Sequence, residues 1–291
     1  MKRAVGASRP TPATVRADTG RLHEPMSAGD LVGSATKPLR HERILAGLDA
    51  EGRVEVPVLA SQLGVSEVTV RRDLLELEDS GRLRRVHGGA VSTFGRAFDR
   101  PYAVRHGAQS AAKAAIGAAA ARLVNNGDAV ALDVGSTVLA LATHLRAGNL
   151  TLITANLRTA WEVSQSKTLS RPFRLIVSGG VVREDELSMT GDSALSHYRT
   201  MRADIAFLGV GGVSPEAGFT DFNLDDGELK RVLVRTARRV VVLADSTKLG
   251  AEYFVQVAEL GQVDLLVTDR GADSQAVSRL RAAGLEIQLA D

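Results

Sequence analysis

Asp133, Gly135, Ser136 and Thr137 fall within five residues, between an apolar run and a helical one. Two hydroxyls beside a helix N-terminus make a natural anion site, because free backbone N–H groups and the helix dipole both favour negative charge. Gly135 lets the backbone turn there. The stretch lacks the spacing of a Walker A loop, so it does not imply a nucleoside triphosphate. Further along, Asn156 ends the next apolar run, and Gly179, Gly180 and Arg183 follow the one after. A Gly-Val-Gly-Gly run at 209–212 lacks a further spaced glycine and is a poor dinucleotide fingerprint. Asp221, Asn223, Glu228 and Lys230 come next, then Asp245 and Lys248. Hydroxyls, amides, one Lys and one Arg at successive turns suit a small anion that also carries hydroxyl groups. Asp133, Asp221, Glu228 and Lys248 could in principle move protons, but no His-centred acid–base pair is legible.

A second constellation, Val65 to Gly89, has a different chemistry. It places Arg71 and Arg72 side by side, then Arg82, Arg84 and Arg85, and closes on His87-Gly88-Gly89. Clustered guanidinium groups of this kind neutralise a phosphate backbone or reach base edges. The candidate DNA-contacting residues are Ser66, Glu67, Thr69, Arg71, Arg72, Arg82, Arg84, Arg85, His87 and Gly88.

The elements that must hold these residues follow from periodicity. Ile44, Leu45 and Leu48 make one face of a first helix, which Gly52 stops. Pro57 opens a second helix, where its missing N–H is harmless, and Gly64 ends it. Ser66 caps a third, on which Val70, Leu74 and Leu77 face inward. Glu67, Val68, Thr69, Arg71 and Arg72 then face outward. Two helices joined by a tight Gly-Val-Ser turn are a helix-turn-helix. The hairpin that follows, with its two glycines supplying positive φ values, is a wing.

From about residue 107 the pattern alternates. Apolar runs at 129–134, 150–155, 174–179, 205–210, 239–244 and 264–269, with a weaker one at 286–290, read as strands, with helical segments between several of them. Continuous apolar runs suit strands buried on both faces, so a mostly parallel α/β sheet is expected. Ligands of such sheets bind outside the C-terminal strand ends, where the polar turns described above lie. Trp161, the only tryptophan, is expected in the core or at an interface.

Composition narrows the field. A chain of 291 residues, 44% hydrophobic, is long enough for two domains. Residues 1–37 carry 6 basic and 3 acidic residues, whereas residues 107–291 carry 19 and 21. A basic N-terminal third joined to a slightly acidic remainder suits a nucleic-acid module joined to a sensor. There is no cysteine, which excludes disulfides and thiolate metal sites and suits a reducing cytosol. The six histidines lack ligand spacing, no apolar run approaches a membrane span, and no secretory leader is legible. Neither a metal nor a cofactor is implied. Residues 1–37 read as a disordered extension, with Met26 an alternative start.

The segment 41–91 closely resembles the N-terminal domain of DeoR-type bacterial transcription regulators. The likeness rests on the Val-Ser cap, the Thr-Val-Arg-Arg-Asp-Leu run, the Leu-Glu-x-x-Gly segment and the Arg-x-His-Gly-Gly-Ala wing. Val56 departs from it, since members often carry Ser or Thr there to cap the second helix. Most of residues 107–270 is similar to the family's sensor domain, through Asp-x-Gly-Ser-Thr, Thr-x-Asn, Gly-Gly-x-x-Arg, Gly-Phe-Thr and Asp-Ser-Thr-Lys.

The resemblance implies a fold like ribose-phosphate isomerase and glucosamine-phosphate deaminase, and a phosphorylated sugar or polyol as effector. Gly135, Ser136, Thr137 and Lys248 then look like phosphate contacts. Asp133, Asn156, Arg183, Asp221 and Glu228 look like hydroxyl or wall contacts, and Gly179 and Gly180 shape the turn beside them. The expected organisation is an extension (1–37), a winged helix-turn-helix (38–92), a linker (93–106) and an effector domain (107–291). Double-stranded operator DNA is the expected partner of a homodimer or higher homo-oligomer, without membrane association. The alternative is a sugar-phosphate isomerase or deaminase carrying a DNA-binding head.

Overall fold

A computed structural model describes residues 36–51, 53–80, 82–91 and 102–291. The readings of an N-terminal extension, of Gly52 as a helix stop and of residues 93–101 as linker lie outside the described residues, apart from residues 36 and 37.

The N-terminal module has α1 (Lys37–Glu51), β1 (Arg53–Glu55), α2 (Val56–Leu63) and α3 (Glu67–Asp79), followed by β2 (Arg84–Val86) and β3 (Gly89–Val91). Its core gathers Ile44, Leu45 and Leu48 from α1, Leu59 and Leu63 from α2, and Val70, Leu74 and Leu77 from α3. Leu74 is fully enclosed, so Leu74→Ala would remove about 2–5 kcal/mol of stability. Gly64 ends α2 at φ 65°, and the Ser66 hydroxyl accepts the Thr69 N–H at 3.2 Å to start α3. The departure at Val56 has a simple outcome. Glu55 occupies the N-cap position without a side-chain cap bond, and Val56 is the first helical residue, buried in the core.

β2 and β3 form the wing, and β1 joins β3 to make a three-stranded antiparallel sheet in the order β1-β3-β2. Only one wing glycine uses a positive φ, where the sequence suggests two. Gly88 has φ 81°, whereas a Cβ on Gly89 would lie 2.0 Å from the Val54 carbonyl oxygen. Gly89 is therefore required by the close approach of β1 rather than by turn geometry.

The second part begins with a short helix, α4 (Tyr102–Gly107), and continues with α5 (Ser110–Ala121), β4 (Ala129–Leu132), α6 (Ser136–His144), β5 (Thr151–Thr154), α7 (Leu157–Gln165) and β6 (Arg174–Val177). A two-stranded hairpin, β7 (Val181–Val182) and β8 (Met189–Thr190), leads to α8 (Asp192–Thr200) and β9 (Ile205–Gly209). Then come β10 (Gly212–Ser214), β11 (Gly218–Asp221), α9 (Leu224–Thr236), β12 (Val240–Leu243), β13 (Val255–Ala258), β14 (Leu265–Asp269), α10 (Ser274–Ala282) and β15 (Ile287–Ala290).

Seven strands make one sheet in the order β15-β14-β12-β9-β4-β5-β6, and every pairing is parallel. Each expected apolar run is one of them. Alternate residues of β9 serve two cores: Ala206 and Leu208 pack with α8, α9 and α10, while Ile205 and Phe207 pack with α5, α6 and α7. The result is a three-layer α/β domain. A smaller antiparallel sheet, β10-β11-β13, adds Val213, Phe219 and Val257 to the first core.

Candidate functional site

The strand order reverses between β4 and β9. From β4 the chain builds outward through β5 and β6, then returns to lay β9 on the other side of β4. In open parallel sheets a crevice forms at this switch point, beyond the C-terminal strand ends. Here the loops after β4 and β9 are pressed together. A Cβ on Gly209 would lie 2.8 Å from the Val134 carbonyl oxygen, and one on Gly211 would meet the Phe222 and Tyr253 rings at 2.7 and 2.9 Å. The glycines at 209, 211 and 212 therefore allow close packing against neighbouring backbone and rings.

Asp133 follows β4 directly. Its N–H bonds the Phe207 carbonyl at 3.0 Å, and its carboxylate accepts the Gly209 N–H at 3.1 Å. Lys230 of α9 ion-pairs with the same carboxylate, lies 3.2 Å from Asp221, and donates to the Gly209 carbonyl at 2.8 Å. Lys230 is 1% exposed. Burial would lower its pKa, but Asp133, Asp221 and Asp226 outweigh that and raise it, so the ammonium stays charged. Burial pushes Asp133 up to about 6, against the pull of Lys230.

One helical turn before Lys230, Asp226 is also buried and pairs with Arg183 from the β7–β8 hairpin. Its second oxygen, Oδ1, has no hydrogen-bond partner among the described residues. Asn223 caps α9 by accepting the Asp225 and Asp226 N–H groups, which fixes the rotation of this helix face. Glu228 lies off that face and is exposed, so it does not join the cluster.

Gly135, Ser136, Thr137 and Lys248, expected from the sequence as phosphate contacts, follow strands β4 and β12 of the same sheet. Gly135 caps α6 at φ 120°, and Ser136 and Thr137 are both buried in its first turn. Asp245 follows β12 and accepts the Thr247 N–H at 3.1 Å, starting the short 3-10 turn that carries Lys248. Lys113 of α5 is close enough to feel both Asp245 and Lys248. Burial, with help from Lys248, pushes Lys113 down to about 8.

Asn156 has a different position from a wall residue. Its Oδ1 accepts the Thr159 N–H at 3.0 Å to cap α7, and its Nδ2 donates to the Glu186 carbonyl at 2.9 Å. It therefore orients the hairpin that bears Arg183. Gly179 (φ 71°) and Gly180 (φ 119°) turn the chain into that hairpin, and a Cβ on Gly180 would lie 2.4 Å from the Thr190 carbonyl oxygen. Trp161 is 68% exposed on α7, so it is not a core residue.

Residues 102–106, inside the expected linker, are the bulk of helix α4, and this helix is fastened to the sensor. The Tyr102 N–H donates to Asp185 at 2.7 Å, and the Arg158 guanidinium lies 4.0 Å from the Tyr102 ring centroid. Arg105 pairs with buried Glu186, and Lys113 donates to the Ala108 carbonyl at 2.7 Å and to that of Arg105. Glu186 is on the hairpin of Arg183, so α4 connects through it to Asp226 and Lys230. Burial raises the Glu186 pKa, partly offset by Arg105.

A cleft at the opposite sheet end is lined by Asp128, Asp204 and Asp264 among others. Asp128 accepts the Asn125 N–H, Asp204 that of Ala129 and Asp264 that of Val240, so these carboxylates brace strand starts.

On the N-terminal module, the outward side of α3 carries Val68, Arg71 and Arg72. Arg71 is held by Glu67 at 2.7 Å, while Arg72 approaches Glu76 only to 3.7 Å and its side chain is 81% exposed. Arg84, Arg85, His87 and Gly88 are exposed on the wing, and Arg82 is half-buried. Arg85 pairs with Glu78 at 2.6 Å, which ties the wing to the end of α3. Asp73, on the inner side of α3, is 2% exposed and takes a two-pronged bond from Arg40 of α1, at 2.7 and 2.9 Å, with His41 at 3.3 Å. Burial pushes Asp73 up, but Arg40 and His41 outweigh it and hold the carboxylate below its usual range.

Comparisons with known proteins match both halves. Residues 40–94 match the DeoR-like helix-turn-helix domain, and residues 108–270 match the DeoR C-terminal sensor domain. The HTH-type transcriptional regulator GolR of Listeria innocua is 34% identical over 253 residues, covering 87% of this chain and 98% of that protein. The transcriptional repressor GlcR of Bacillus subtilis is 34% identical, over 85% of this chain and 95% of its own. The glycerol-3-phosphate regulon repressor of Escherichia coli is 29% identical, over 79% and 90%. Both domains in this order, and relatives matched over nearly their whole length, place the chain in the DeoR family of transcriptional regulators.

Proposed function

We propose that this chain is a cytosolic repressor of a sugar- or polyol-catabolic operon, released from its operator by a phosphorylated effector. The observation that carries the reading is the gathering of two kinds of residue at the switch-point edge of one sheet. Gly135, Ser136, Thr137 and Lys248 suit a phosphate: backbone N–H groups, hydroxyls and a cation at a helix start give charge-assisted bonds. Asp133 and Asp221, locked by Lys230, with Arg183 locked by Asp226, make a fixed polar wall for hydroxyl groups. Asn156 and Gly179-Gly180 position that wall, and Glu228 lies outside it. The name of the Escherichia coli relative, a glycerol-3-phosphate regulon repressor, agrees with a phosphorylated effector.

The carboxylates here are engaged with fixed cations and backbone groups, and a buried, charged Lys230 is a poor proton shuttle. A binding site is therefore a better reading than an isomerase or deaminase site.

On the DNA side, α3 enters the major groove, and Arg82, Arg84, Arg85 and His87 of the wing region approach phosphates. A single helix-turn-helix reads few base pairs, so the working form is a homodimer or higher homo-oligomer on a symmetric site. Communication runs through α4, whose Arg105 shares the hairpin of Glu186 and Arg183 with the effector wall. An effector that favours one hairpin position shifts α4, and with it the DNA-competent arrangement, by its differential affinity.

A panel of sugar and polyol phosphates screened by thermal shift tests the effector half. At a concentration about 100 times its Kd, a true effector adds about 2.7 kcal/mol of stability. The matching free sugar should act far more weakly, and Lys248→Ala should lose most of the shift while remaining folded. Equal binding of free sugar and phosphate would remove the phosphate assignment.

A further inference from the structure

Val68 is 74% exposed, the largest value among the large hydrophobic side chains described. It lies in the first turn of α3, where the Ser66 cap fixes the backbone: the Thr69 N–H bonds the Ser66 hydroxyl at 3.2 Å, and the two hydroxyls lie 3.0 Å apart. The inward side of the helix is Val70, Asp73, Leu74 and Leu77. At 3.6 residues per turn, Val68 and Arg72 project from the opposite side, four residues apart on one line. Glu67 holds Arg71 to their flank at 2.7 Å. An isolated exposed valine elsewhere would need no explanation. Here it stands on the outward side of α3 with Arg71 and Arg72, a surface whose charge suits a polyanion.

In the major groove the one apolar group on a base edge is the thymine 5-methyl. The N-terminal turn of a recognition helix is the part that reaches base edges. We infer that Val68 reads a thymine methyl in the operator, one or two base-pair steps from a guanine contacted by Arg72. The spacing follows from the helix rise: four residues advance about 6 Å, roughly two steps of 3.4 Å. Arg72 takes the guanine because Glu76 stands off at 3.7 Å, whereas Arg71 must first leave Glu67.

This assignment rests on the operator-binding reading above, and the test separates the two. Duplexes selected from a random pool by the full-length protein are remade with each thymine in turn replaced by deoxyuridine, which removes only the methyl. For wild type, one position per half-site should weaken binding roughly fourfold, as expected from burying one methyl group. Val68→Ala should bind the thymine duplex about as weakly and ignore the uracil swap at that position. Val68→Ile, which keeps the methyl contact, should retain the sensitivity. Wild-type indifference to uracil at every position, or unchanged sensitivity in Val68→Ala, overturns the assignment while leaving operator binding intact. Selection that enriches no sequence overturns the operator reading, and this assignment with it.

Discussion

Lys230 of α9 ion-pairs with Asp133, 97 residues earlier, and so joins α9 to the loop that follows β4 at the switch point. Removing the cation leaves buried Asp133 and half-buried Asp221 without it. Breaking such a pair on one side typically lowers stability by about 3–5 kcal/mol. Lys230→Met should therefore lower the sensor's thermal midpoint markedly and abolish effector binding through loss of structure. Lys248→Ala should lose the effector while remaining folded. Equal midpoints for Lys230→Met and wild type would show that the pair does not hold the crevice.

Lys113 gives a pH signature. Its folded pKa, about 8, lies below the ordinary lysine value of about 10.4. Between those values the unfolded chain binds more protons, so this group adds stability as pH rises through the window. Lys248 is one cause of the depression. A phosphate dianion seated at Lys248 offsets it and raises Lys113 again, so effector binding near pH 8 should take up a fraction of a proton. Calorimetry in two buffers of different ionisation enthalpy reads this directly. Identical apparent enthalpies in both would place the phosphate away from Lys113.

Asp73 and Arg40 pin α1 to the inner side of the recognition helix. Asp73→Asn takes from the guanidinium, whose side chain is 12% exposed, the charge of its two-pronged partner. The variant should lose about 3 kcal/mol in the N-terminal module and weaken operator binding, although it touches no DNA. Because the folded Asp73 pKa is lowered, its stabilisation is present above the ordinary carboxylate pKa and disappears as pH falls through the folded value. Wild type should therefore approach the variant in strong acid. A constant stability gap down to the acid transition would contradict this.

Arg105 pairs with buried Glu186 and so ties α4 to the hairpin of Arg183. Glu186→Gln keeps the shape of the hairpin and removes the charge that holds Arg105. The variant should still bind operator and effector, yet show a reduced change in operator affinity when effector is added. Anisotropy titrations with and without effector give the coupling factor. Full coupling in Glu186→Gln would move the communication path away from α4.

The seven parallel strands are legible in the sequence because the central ones are buried on both faces and the edge strands β6 and β15 still carry apolar runs. The antiparallel strands β1, β7, β8, β10, β11 and β13 are not, because two to four residues are too few to show alternation. Lys230 is hard to single out in the sequence, since an isolated lysine usually points to solvent. The signal that could have found it is its spacing: Asp226 and Lys230 share the inner face with Leu229 and Leu233, and Glu228 does not. Asp73 offered the same signal, an acid among Val70, Leu74 and Leu77. Arg183–Asp226 and Arg105–Glu186 join residues 43 and 81 apart, with no local pattern to announce them.

The most direct measurement is the affinity of the full-length protein for its selected operator, read by fluorescence anisotropy as phosphorylated sugars and polyols are added one at a time. At least one should raise the operator Kd tenfold or more, with the unphosphorylated compound ineffective and Lys248→Ala binding operator normally but no longer responding. If no phosphorylated compound changes operator affinity, or if Lys248→Ala responds as wild type does, the switch-point edge is not the effector site.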